Sequence, residues 1–157
     1  MKKIKWTDLI LFIVTAELVG VLSSLISGGY SAFYTDLEKP PLSPPGVVFP
    51  VVWAILYALM GISAYLVYHS ENSMKRKEAL VIYTIQLLVN FSWSIIFFRF
   101  EALGLAAAVA AILFILVASM VTAFRRVRPL AAALNIPYLL WSLFAAYLAA
   151  GNWVLNR

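Results

Sequence analysis

Apolar residues run almost unbroken along the chain. Short polar or charged interruptions cut the run into five pieces: Asp8–Ser27, Gly46–Tyr68, Ala79–Phe98, Leu103–Phe124 and Leu130–Asn152. Each reaches the ~20 residues needed to cross ~30 Å of hydrocarbon as a helix. Lipid offers nothing to an unpaired backbone amide, so a segment this long and apolar predicts a helix that satisfies its own hydrogen bonds. The pattern therefore predicts an all-α fold, an integral membrane bundle of five transmembrane helices, in one domain spanning residues 1–157. The first run is longer than the ~7–15 residues of a signal-peptide core and shows no clear cleavage site. It is read as a retained span.

The interruptions differ in kind. Between the first two spans lies FYTDLEKPPLSPPG, in which Pro40, Pro41, Pro44 and Pro45 each remove a backbone donor and fix φ. This stretch predicts a stiff loop with charges at Asp36, Glu38 and Lys39. A lid salt bridge among them is one expectation and a solvated turn the other. Arg99–Glu101 leaves room only for a tight hairpin between spans three and four. Span four, ALGLAAAVAAILFILVASMVTAF, is rich in alanine and suits close helix packing, including at a subunit interface. Pro129 opens span five in the first-turn position that proline tolerates. Pro137, deeper in, predicts a kink or a freed carbonyl.

Within the spans, aromatic and polar residues recur at helical spacing. Trp53, Tyr57, Met60 and Ala64 share a face of span two, with Gly61 and Ser63 allowing close approach. Gln86, Asn90, Trp93, Ser94 and Phe97 do the same in span three, and Tyr138, Trp141, Ala145 and Leu148 in span five. Tryptophan and tyrosine usually collect at membrane interfaces, and Trp6 and Trp153 fit that belt. Trp53, Trp93 and Trp141 lie several residues inside their spans. Together they predict a shared aromatic cavity suited to a large, flat, mostly apolar ligand. Asn90 is read either as a helix-to-helix hydrogen bonder or as a ligand contact.

Composition agrees: 64% of the 157 residues are hydrophobic and 12% are charged, against about 25% charge in soluble domains. Nine of the twelve Lys and Arg residues fall on one side (Lys2, Lys3, Lys5, Lys75, Arg76, Lys77, Arg125, Arg126, Arg128) and three on the other (Lys39, Arg99, Arg157). The positive-inside rule then predicts a cytoplasmic N-terminus, an external C-terminus and an external proline loop. The net charge of +5 follows from that asymmetry. No nucleic-acid motif accompanies it. With no cysteine and one histidine, thiol chemistry is excluded and neither a metal site nor any cofactor is expected. No nucleophile elbow, phosphate loop or paired carboxylates can be read. Glu17 is the only carboxylate deep in a span, where charge marks function by default. Its other reading is a protonated carboxyl in an interhelical hydrogen bond. His69, at a span end, is read as an interface residue.

Three motifs in order, FYTDLEKPPLSPPGVVFPVVWAILYALMG, NFSWSIIFF and PYLLWSLFAAYL, resemble the TspO/translocator-protein family, also called tryptophan-rich sensory proteins and peripheral-type benzodiazepine receptors. Gly20 falls where the family's first helix has a glycine. The resemblance implies a five-helix membrane bundle in the cell (plasma) membrane, commonly a homodimer, acting as a sensor or receptor. Porphyrins, other tetrapyrroles or similar apolar small molecules would bind in a pocket between the helices. It implies ligand contacts at Trp53, Tyr57, Asn90, Trp93, Trp141 and Ala145, to which the helical stripes add Phe97 and Tyr138. A lid would come from Phe33, Tyr34, Leu37, Pro40, Pro41, Leu42, Pro44 and Pro45. Two alternatives stay open: a light-dependent porphyrin-degrading enzyme using Trp53 and Trp141, and a transporter of tetrapyrrole or lipid, for which no inverted repeat is visible. The chain departs from the family pattern at Phe33 and Leu42, where tryptophan is usual. It departs again at Ala149, where asparagine is usual, with Asn152 one turn later. The two lid departures predict less aromatic surface over the pocket and an altered porphyrin affinity. The tyrosine and basic residue of the animal sterol pattern are missing near Ala150 and Val154, so no specific cholesterol binding is expected.

Overall fold

The computed structural model describes residues 4–28 and 32–157. Lys2 and Lys3, counted above for orientation, lie outside them. Helices α1 (Trp6–Ser27), α2 (Ala32–Asp36), α3 (Val48–Tyr68), α4 (Met74–Ser94), α5 (Leu103–Val127), α6 (Pro129–Leu134) and α7 (Ile136–Leu155) follow in order, and α4 continues into a π-helical turn at Ile95–Arg99. Five stretches are long and apolar enough to cross a membrane: α1, α3, α4 with its π turn, α5, and α6 with α7. The basic residues cluster at one end of the bundle and the proline loop crosses the other. These are called the basic end and the loop end below.

Local chemistry sets the boundaries. Gly28 ends α1 at φ 83°, a left-handed conformation that costs glycine nothing. Ser73 starts α4 one turn before its apolar run, its hydroxyl accepting from the Arg76 amide at 3.2 Å. The Arg76 guanidinium donates to the Tyr68 and Ser70 carbonyls, both at 3.2 Å, and to Asn72 Oδ1 at 2.9 Å, closing the α3–α4 turn. The break foreseen around Pro137 falls at Asn135, which leaves helical geometry and divides the last span into α6 and α7.

The helices form a ring in which α1 packs on α3 and α4, and α5 packs on α4 and on both halves of the last span. Near the basic end the ring is tight. A Cβ added at Gly61 would meet Ile13 Cα at 2.6 Å, so α1 and α3 touch there backbone to backbone. Helix α3 meets the last span through α6, whereas α7 leans onto α5 beyond the Asn135 break. Met60, Val67, Val117, Met120 and Phe124 fill this half completely. Toward the loop end a hollow opens between α1, α3, the end of α4 and α7. The alanine stripe of α5 (Ala106, Ala110, Ala123) is buried inside the bundle.

Candidate functional site

The hollow is a cavity of about 350 Å³ walled by α1, α3, the end of α4 with its π turn, and α7. That volume falls within the ~300–1,000 Å³ of small-molecule sites. Seven of the eight residues named from the sequence as ligand contacts line it: Trp53, Tyr57, Asn90, Trp93, Phe97, Trp141 and Ala145.

Each ring is held by a neighbour. Trp53 leans on Tyr57 with centroids 5.6 Å apart, and meets Tyr138 edge-on at 6.0 Å. Trp93 stacks on Phe97 at 5.1 Å and 24°, and its Nε1 donates to the Ala106 carbonyl of α5 at 3.0 Å. The π turn carries Phe97 and Phe98 toward the hollow, as such distortions often do beside functional sites. Trp141 meets Phe49 edge-on at 5.9 Å. It also borders a second cleft on the other side, between α3 and α7, and so forms the partition between the two spaces. The Tyr57 ring lies directly over Gly20, where a Cβ would collide with it.

Tyr138 corrects the sequence reading. It does not line the cavity but lies one layer below, fully buried. Asn90 Nδ2 donates to Tyr138 Oη at 2.9 Å, and that hydroxyl donates to Gln86 Oε1 at 2.8 Å. Helical spacing puts Tyr138 on the same stripe as Trp141. One turn nearer the basic end, however, that stripe meets filled core instead of hollow. Asn90 joins two helices through its amide, as one of its two readings expected, and its side chain also borders the cavity.

The lid is also corrected. Of its eight residues only Tyr34 reaches the cavity. Phe33 packs edge-on against Phe97 at 6.3 Å, and Leu37 joins that outer cluster. Pro40 is buried on Gly151, and the Pro41 carbonyl accepts from Tyr147 Oη at 2.9 Å. Leu42 stands at the loop apex, 82% exposed, with φ 69°. Pro44 is half-buried and Pro45 exposed as the chain enters α3. The segment is thus a strap from the π turn to the end of α7, where Asn156 accepts from the Glu38 amide at 2.9 Å and donates to its carbonyl at 2.8 Å. Neither Phe33 nor Leu42 lines the cavity: Phe33 packs behind the lining residue Phe97, and Leu42 projects outward. Lys39 Nζ donates to the Thr35 and Leu37 carbonyls at 3.1 and 3.3 Å and lies over the Tyr34 ring. The one ion pair among the described residues is His69–Asp8, 3.0 Å apart at the basic end.

The α1 wall was missed from the sequence, apart from Glu17 and Gly20. Val21, Ser24 and Leu25 belong to it, and Phe49, Pro50 and Ala54 of the α3 wall were missed as well. The available signal was the spacing of Glu17, Gly20 and Ser24 on a mostly apolar helix. Val21, Ser24, Leu25, Pro50 and Ala54 are exposed as well as cavity-lining, which puts the mouth of the hollow on its side, between α1 and α3.

Fold and cavity together define a five-helix integral membrane protein with an aromatic hollow in one half of the bilayer. The chain belongs to the TspO/MBR family, which it matches over residues 12–154. Among its relatives, the translocator protein of Ovis aries is 33% identical, over 97% of this chain and 92% of the sheep chain. The human translocator protein is 35% identical over 86% of this chain and 81% of its own. The tryptophan-rich sensory protein of Cereibacter sphaeroides is 36% identical over 70% of this chain and 68% of its own.

Proposed function

We propose that this protein is a membrane receptor or sensor that binds a tetrapyrrole, or a similar flat apolar molecule, in the cavity between α1, α3, α4 and α7. The observation that carries this is the convergence of Trp53, Trp93 and Trp141, from three separate helices, on one hollow with Asn90 at its edge. Aromatic walls supply large apolar area and stacking faces. Asn90 supplies one fixed polar contact, as small-molecule sites usually do. The sensory name of the bacterial relative supports the same reading. The lateral mouth suits a ligand that partitions into the bilayer. The Lys and Arg asymmetry favours a cytoplasmic basic end, and a plasma-membrane location belongs to the same proposal. The homodimer implied by the family belongs to the same proposal and is read from the particle mass in mild detergent.

The test is quenching of tryptophan fluorescence by protoporphyrin IX. Saturable quenching is expected in the wild type. A Trp53→Phe/Trp141→Phe double variant should bind at least about tenfold more weakly, ~1.4 kcal/mol, since aromatic contacts contribute ~0.5–1.5 kcal/mol each beyond area. Equal affinity, measured by porphyrin absorbance so that lost fluorophores do not matter, counts decisively against this site.

A further inference from the structure

Glu17 lies on the α1 wall of the cavity, half-buried, one turn before Gly20 and within electrostatic reach of Tyr57. A carboxyl in a membrane span is costly unless something pairs with it. Among the described residues none ion-pairs or hydrogen-bonds with it, since the one ion pair is His69–Asp8 at the far end. Among the described residues no Lys, Arg or His lines the cavity. The wall also offers free acceptors. Asn90 has committed its amide to Tyr138 and keeps its carbonyl oxygen. Asn152, 97% buried by its 3% exposure, holds an Oδ1 with no partner. Donors without a protein partner face it too, among them Trp141 Nε1 and the Tyr57 hydroxyl. Around these stand the rings of Trp53, Trp93 and Phe97, whose π faces are the negative end of their quadrupoles.

We infer that the cavity selects ligands carrying a protonated amine on a flat apolar body, with Glu17 as the charge partner. An ammonium that meets a carboxylate in a low-dielectric site enters as a neutral pair, which avoids leaving either charge uncompensated. Its N–H groups match the acceptors of the wall, and its charge is attracted to the indole faces. A ligand bearing carboxylates would instead set like charge against Glu17 with no cation nearby to offset it. Among tetrapyrroles, esterified or amine-bearing forms would therefore be preferred over free diacids. This inference rests on the receptor reading and deepens it by naming the ligand's charge.

The experiment titrates wild type and Glu17→Gln in mild detergent with three forms of one chromophore: protoporphyrin IX, its dimethyl ester, and its bis-amide with ethylenediamine. In the wild type the amine form should bind tightest and the diacid weakest. Glu17→Gln should weaken the amine form by about tenfold or more, the lower end for a hydrogen bond to a charged group. It should tighten the diacid and leave the ester unchanged, which also certifies an intact cavity. An amine-to-ester ratio that is the same in both proteins overturns the charge selection and leaves the receptor reading standing. Should the variant fail to fold, the wild-type ranking alone decides, because equal affinity for all three forms overturns the inference. No binding of any form overturns both.

Discussion

Removing the Tyr138 hydroxyl tests how the floor of the cavity is held. Tyr138 is fully buried and bridges α7 to α4 through Asn90 at 2.9 Å and Gln86 at 2.8 Å. Tyr138→Phe leaves the ring in place and deprives Asn90 Nδ2 and Gln86 Oε1 of their partner. In a soluble core each orphan would cost ~1–3 kcal/mol. Interhelical hydrogen bonds in membranes average only ~0.6 kcal/mol and reach ~1.7, because the reference state also finds partners. The membrane scale applies here, and two bonds on it give about 1–3 kcal/mol. Asn90 and Gln86 sit one turn apart on α4, so the freed amide can swing onto the Gln86 carbonyl and recover one bond. The expected loss is then about 1–2 kcal/mol, or roughly 3–6 °C in Tm for a chain of this size. That swing also turns Asn90 away from the cavity, so protoporphyrin affinity should fall with stability. Tyr57→Phe is the control. The Tyr57 hydroxyl makes no hydrogen bond to the described protein, so its removal should leave Tm unchanged. Thermal unfolding of the purified variants in one detergent reads both. A Tyr138→Phe protein within ~0.5 kcal/mol of wild type, or an equal loss in Tyr57→Phe, refutes the hydrogen-bonded floor.

Two further perturbations address the walls. Gly61→Ala would place a Cβ 2.6 Å from Ile13 Cα and 2.8 Å from the Phe12 carbonyl oxygen. Because the obstacle is backbone, α1 must move, and a loss of about 1–3 kcal/mol is expected in thermal unfolding; an unchanged Tm would show that α1 and α3 do not touch there. Asn156→Ala removes both side-chain hydrogen bonds to Glu38, so the backbone amides of Leu37, Glu38, Lys39, Leu42 and Ser43 should exchange faster while Tm barely changes; unaltered exchange would mean that Pro40 on Gly151 and Tyr147 on Pro41 suffice to hold the strap.

Much of the fold was legible because a bilayer imposes one-dimensional constraints. Span length, the need to satisfy every backbone amide within a helix, and the special geometry of proline act locally, so five spans and a break near Pro137 could be read from residue order. The inward tryptophan stripes were legible for the same reason, since 3.6-residue periodicity sets which side chains share a face. Tertiary structure decided which parts of those faces meet empty space. Trp141 and Tyr138 lie one turn apart on one stripe, yet one borders the hollow and the other is sealed beneath it, because Gly61 and α6 close the basic half while the hollow opens beyond. Helix α1 is apolar around most of its surface, so only the spacing of Glu17, Gly20 and Ser24 set the cavity wall apart from the lipid face. The strap's anchor joins Glu38 to Asn156, 118 residues apart, a pairing set only when the ends of different helices come together. What a residue shares a face with is a property of its own helix; what lies opposite depends on how neighbouring helices lean, and that is settled only by packing.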